Sequence, residues 1–102
     1  MRIIKPPRLV EFARKHPKSA PSLLHWFSIA KQAQWQNLTA TRADFPHADE
    51  VRVSSHKPVT IFNISGNAFR LITAIHYDTG KVFILDFLTH ADYSKNTWKT
   101  RL

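Results

Sequence analysis

Apolar positions change their spacing twice along this chain, and the changes mark out its elements. Arg2-Ile3-Ile4 is a short β-branched run ended by Pro6-Pro7, which predicts a brief first strand. Leu9, Phe12, Ala13 and His16 then recur at i, i+3, i+4 and i+7, one face of a helix that a proline pair can open and that Pro17 stops. Ser19-Ala20-Pro21 starts a second helix with an apolar stripe of Leu23, Leu24, Phe27 and Ala30, running to about Trp35. The short connection makes the two an antiparallel hairpin. Between 36 and 58 the pattern weakens. Asn37 or Thr39 suits the cap of a short helical piece ending at Phe45-Pro46, and Asp49 to Ser55 is too polar to assign.

From Val59 onward the period is that of strands. Val59–Ile64, Ala68–His76 and Lys81–Thr89 are separated by Ser65-Gly66-Asn67 and Asp78-Thr79-Gly80, both turn chemistry, so they form a three-stranded antiparallel meander. The third strand is apolar at nearly every position from Val82 to Leu88, which predicts a central strand covered on both faces. His90 to about Lys95 has helical character. The expected fold class is α+β: a short N-terminal strand, a helix hairpin, the meander and a short C-terminal helix. Helices on one face of the sheet would leave the other face to a partner.

Length confines this layout to a single domain over residues 1–102. Area scaling gives about 5,900 Å² for the folded chain, a burial of roughly 65% that supports a core without staples. With no cysteine, disulfide scaffolds, thiolate nucleophiles and Cys-based metal sites are excluded. No apolar run approaches the ~20 residues that cross a bilayer, and Met1 to Pro7 has no signal-peptide core, so a soluble protein of a reducing compartment is expected.

Fifteen Lys+Arg against seven Asp+Glu give a net charge of +8. The excess is even along the chain, which predicts a basic folded surface rather than a basic tail. Such a surface attracts polyanions, nucleic acid foremost.

Most catalytic chemistries are excluded by what is missing. The six histidines (16, 25, 47, 56, 76 and 90) contain no i, i+4 pair and no HExxH, so no metal site is expected. Gly66 and Gly80 are the only glycines, which rules out a glycine-built phosphate loop. The acids are too few for glycosidase or two-metal nuclease chemistry, and no serine sits in a GxSxG.

Two clusters remain. In Thr89-His90-Ala91-Asp92-Tyr93-Ser94-Lys95, a helical reading puts His90 and Tyr93 one turn apart on one face, with Lys95 near the end. Histidine moves protons near neutrality, and tyrosine and lysine can orient or neutralise a phosphate. The alternative is a strand-end histidine and a core tyrosine. In Asn67-Ala68-Phe69-Arg70, Arg70 interrupts an apolar strand, which is costly unless its face is wet or its charge is paired. Either it pairs with Asp86 on the neighbouring strand, or it faces an anion-binding surface where its planar fork suits phosphate.

Together the segments Phe62-Asn63-Ile64-Ser65-Gly66-Asn67-Ala68-Phe69-Arg70-Leu71, Thr89 to Lys95 and Trp98-Lys99 resemble the HigB toxins of the RelE superfamily, whose motifs read roughly FNIxGNKYRL and THxEYDK. Met1 to Ile4, Trp35 to Leu38 and Phe45 to Asp49 fit as well, so the resemblance spans nearly the whole chain.

The resemblance implies a cytoplasmic bacterial endoribonuclease that cuts mRNA, usually on the ribosome. Its neutralising partner would be a cognate helix-turn-helix antitoxin of the HigA type. It implies metal-free attack of the ribose 2′-OH on the adjacent phosphate, without a cofactor. His90 would be the proton-transfer group and Arg70 the phosphate clamp. Tyr93 and Lys95 would position substrate or stabilise charge, and Asn67 and Lys99 would contact RNA.

Three positions depart from the family pattern: Ala68 for a lysine, Ser94 for an aspartate, and Leu85-Asp86 where relatives often carry a basic residue. The first and the last make the site less cationic. The competing functions are a non-catalytic RNA- or ribosome-binding module and an inactive antitoxin partner. A helix-turn-helix reading of the hairpin is disfavoured by its glycine-free connection.

Overall fold

A computed structural model describes residues 1–102 and has an accessible area of 6162 Å², close to the expectation from mass. The elements in chain order are β1 (Arg2–Ile4), α1 (Pro7–Lys15), a 3₁₀ turn (Pro17–Ser19) and α2 (Ala20–Gln32). Next come α3 (Leu38–Asp44), β2 (Asp49–Arg52), β3 (Pro58–Ile64), β4 (Phe69–His76) and β5 (Lys81–Thr89). The chain closes with α4 (His90–Ser94) and a second 3₁₀ turn (Thr97–Thr100). One five-stranded sheet has the order β1-β5-β4-β3-β2. The meander is there, flanked by two strands that enlarge it. The polar stretch left unassigned contains β2, which pairs antiparallel with β3, while β1 runs parallel to β5 and makes that strand internal. β2 escapes a pattern reading because only Val51 of its four residues is apolar, as befits a charged sheet edge.

The helices cover one face. Leu23, Trp26 and Ala30 of α2 and Leu9 of α1 pack on Phe62, Ile64, Leu71, Val82, Ile84 and Phe87. The stripe of α2 is therefore rotated from the expected one: Trp26 is 1% exposed, whereas Leu24 points outward at 65%. Leu23, Trp26 and Ala30 lie at i, i+3 and i+7, and Leu24 falls about 100° round from Leu23. α2 also stops at Gln32, short of Trp35. Ala33 turns extended, and the Trp35 indole enters the core and donates to Asp44 Oδ2 at 2.8 Å. Asn37 caps α3, its side chain accepting from Ala40 N at 2.8 Å.

The opposite face carries a second, smaller core of Val53, Val59, Ile61, Ile72 and Trp98. The expectation that this face stands free is corrected here: the C-terminal segment lies across part of it. A β-bulge makes both cores possible. Ile72 pairs with Asp86 and Thr73 with Ile84, so Leu85 is the extra residue. Val82, Ile84 and Phe87 serve the helix side, and Leu85 and Leu88 the other. Arg8 of α1 donates to Ile84 O at 2.9 Å beside the bulge.

Candidate active site

The bulged face gathers the two clusters that lie twenty residues apart in the chain. Arg70 sits on β4, paired with Asn63 on one side and Leu88 on the other. β5 ends at Thr89, whose hydroxyl caps α4 by accepting from Asp92 N at 3.1 Å. His90 is the first residue of that helix, and its backbone N–H donates to Ala68 O at 2.9 Å, which ties the β3–β4 turn to the strand end.

Arg70 is 8% exposed, yet it takes part in none of the three ion pairs of the chain. The anticipated partner Asp86 is bonded instead to Arg101 at 2.9 Å, and its Oδ1 accepts from Phe87 N. The tail brings Arg101 across the face, and its flexible side chain reaches Asp86 while Arg70 is held elsewhere. Arg70 Nη1 donates to Asn67 O at 3.1 Å and Phe69 O at 3.0 Å. Nη2 donates to Asn67 Oδ1 and to His90 Nδ1, the latter at 3.1 Å. Four of its five N–H groups are thus occupied, and its charge is compensated by dipoles and by the face of Tyr93 at 5.6 Å rather than by an acid. A buried cation lacking a counter-carboxylate makes this face electropositive, with the imidazole of the exposed His90 at its surface.

Tyr93 stacks on Trp98 with ring centroids 5.3 Å apart, and the Trp98 indole donates to Tyr93 O at 3.0 Å. Burial pushes the Tyr93 phenol above its ordinary value. The Asp49 carboxylate adds to that shift, and the Arg70 guanidinium opposes it. The phenol therefore stays protonated around neutrality, a hydrogen-bond donor.

The remaining candidates are spread around this centre. Lys99 holds its ammonium 5.8 Å from the Trp98 ring. Lys95 pairs with Asp92 at 3.4 Å, exposed on both sides. Asn67 gives both its oxygens to Arg70, so it builds the socket. Of the three departures, Ala68 is exposed in the turn and the Ser94 hydroxyl donates to His90 O at 2.9 Å. Asp86 is already matched by Arg101, so it does not offset Arg70. Arg101 was not among the residues singled out by pattern, since a terminal arginine carries no spacing signal. The other histidines lie elsewhere; His16, for example, packs at a tilt against Phe69, ring centroids 4.9 Å apart, on the helix side. No three His, Cys, Asp or Glu side chains come together as a metal site would require.

Over 94 residues the chain is 23% identical to the mRNA interferase toxin HigB of Escherichia coli K12, covering 91% of this chain and 88% of that one. The mRNA interferase HigB of Shigella flexneri matches equally. Residues 19–96 match the family described as HigB_toxin, the RelE-like toxic component of a toxin-antitoxin system. That span runs from the start of the helix hairpin's second half through α4, and the chain belongs to the HigB toxin family.

Proposed function

We propose that this protein is an endoribonuclease that arrests growth by cutting mRNA, with cleavage on the ribosome and neutralisation by a helix-turn-helix antitoxin of the HigA type. Its place of action would be the bacterial cytoplasm. The relatives' names support the substrate. The single observation that carries the chemistry is Arg70: a buried guanidinium with no acid of its own, lying directly under an exposed imidazole. A face built this way favours an anion from outside, and the scissile phosphate gains negative charge during transesterification.

In the reaction the ribose 2′-oxygen bonds to the adjacent phosphorus and the bond to the 5′-oxygen breaks. A 2′,3′-cyclic phosphate and a 5′-hydroxyl result. Arg70 and His90 stabilise the charge on the phosphate oxygens, and the Tyr93 phenol adds a donor from its stacked position on Trp98. Lys95 and Lys99 neutralise flanking phosphates. No metal takes part.

The test is induced expression followed by mapping of mRNA 5′ ends. New 5′-hydroxyl ends within coding sequences, absent with His90→Ala, are expected. Growth arrest without new ends would leave a binding module, and no arrest at all would leave an inert partner.

A further inference from the structure

The Arg70–His90 contact decides which nitrogen of the imidazole is free, and that restricts what His90 can do. A guanidinium has only donors, so at 3.1 Å from Nη2 the Nδ1 atom must accept. A proton on Nδ1 would set donor against donor. The ring hydrogen therefore lies on Nε2, and Nε2 has no partner within the chain while His90 itself is exposed. Arg70 cannot easily yield, because Nη1 is held by two backbone carbonyls and Nη2 by the side chain of Asn67. The backbone from which the ring projects is held by the bond from His90 N to Ala68 O.

From this geometry we infer that His90 acts as a fixed hydrogen-bond donor to a phosphate oxygen through Nε2–H, not as the base that takes the 2′-hydroxyl proton, and that Arg70 is the positioning residue that selects this tautomer. The inference rests on the cleavage reading above and refines the role within it. In this tautomer the lone pair of the ring points at Arg70, away from substrate, so it is not available as a base. Loss of the Nε2 hydrogen would leave an imidazolate, far too strong a base to form near neutral pH, so the neutral ring is not the acid either. What it offers is a preorganised N–H aimed outward, beside a buried positive charge. The 2′-hydroxyl proton passes to water as the 2′-oxygen bonds to phosphorus. The 5′-oxygen takes a proton from water as it leaves. Atoms and charge balance without a proton moving through His90.

Two measurements on the full chain test this. The first is long-range ¹H–¹⁵N correlation spectroscopy of the imidazole rings, with His90 assigned by substitution. A protonated Nε2 and an unprotonated Nδ1 are expected. In Arg70→Lys, whose single ammonium cannot span the same acceptors, the His90 signals are expected to shift toward a mixture of tautomers.

The second is cleavage by three variants. His90→Gln puts an amide N–H near the position of Nε2 and is expected to keep activity within about tenfold of the wild type. His90→Ala is expected to fall by about 10²–10³, the usual cost of one lost transition-state donor. His90→Asn reaches only the position of Nδ1 and should fall as far as His90→Ala. A proton found on Nδ1, or a His90→Gln chain as inactive as His90→Ala, overturns the proposal. If the wild type cleaves and His90→Ala cleaves equally, His90 has no part in the site. A wild-type chain that cleaves no RNA, on the ribosome or off it, overturns the cleavage reading itself, whichever tautomer the spectrum shows.

Discussion

Arg70 carries a full charge at 8% exposure, and four hydrogen bonds together with an aromatic face hold it there. Removing it strips a partner from two backbone carbonyls and from the imidazole, so Arg70→Ala should lose growth arrest and lower stability by about 1–3 kcal/mol. Asp86→Ala is expected to behave differently. It breaks only a half-exposed pair with Arg101, worth about 0–1 kcal/mol, and leaves the Arg70 socket whole. Toxicity should persist, and melting curves with growth assays on both variants check the contrast.

Tyr93 supplies a titration. Its phenol lies above the ordinary 10.0 through burial first and the Asp49 charge second. A group whose folded pKa is raised holds its contribution to stability below the unfolded value and loses it as pH rises through the folded one. Tyr93 should therefore leave stability flat across neutral pH and reduce it only above about pH 10. In a Tyr77→Phe background, phenolate absorbance should report this late titration, and Asp49→Asn should bring it earlier.

The C-terminal segment is the element on which the site depends most. Trp98 is 1% exposed, stacks on Tyr93 and closes the second core. Its backbone neighbours fasten the tail to the β2–β3 connection, where Ser54 N donates to Lys99 O at 3.1 Å and Ser55 Oγ to Leu102 O at 2.9 Å. Trp98→Ala should cost about 3–5 kcal/mol, as for other large-to-small changes in a core. Exposure of the Tyr93 ring should accompany it, and a chemical-denaturation series would read both. The bulge in β5 works at the same scale. It lets one strand feed two cores, so β5 reads as apolar throughout while its side chains still divide between faces.

Charge acts over the whole molecule. Lys99 lies over the Trp98 ring and Lys95 pairs with Asp92, within a chain of net charge +8. If about four phosphates of a single strand are neutralised, a slope of ~0.7 per contact predicts roughly a 50-fold loss of RNA affinity for a fourfold rise in salt. Filter binding over a salt series checks this, and a flat response would remove the basic face from the account. Cleavage should also survive EDTA, provided ribosomes are kept intact with magnesium in the ribosome-dependent assay and the chelated arm uses free RNA at high enzyme concentration. Loss of activity restored by added metal would count against metal-free attack.

Local pattern was enough to determine the three long strands, the two main helices, a capped helical piece after Gln36 and the charge of the surface. Each depends on neighbours in sequence: side-chain period, turn residues and backbone capping. The motifs around Arg70 and His90 were legible for the same reason. Tertiary structure alone decided that β2 joins the edge, that Trp26 rather than Leu24 faces the core, and that Asp86 belongs to Arg101. It also decided that Arg70 spends its donors on Asn67, Phe69 and His90, because the β3–β4 turn and the end of β5 meet only when the sheet closes. Periodicity says which way a side chain points along its own element. Which partner it meets there is settled by packing and by competition for a small number of acceptors.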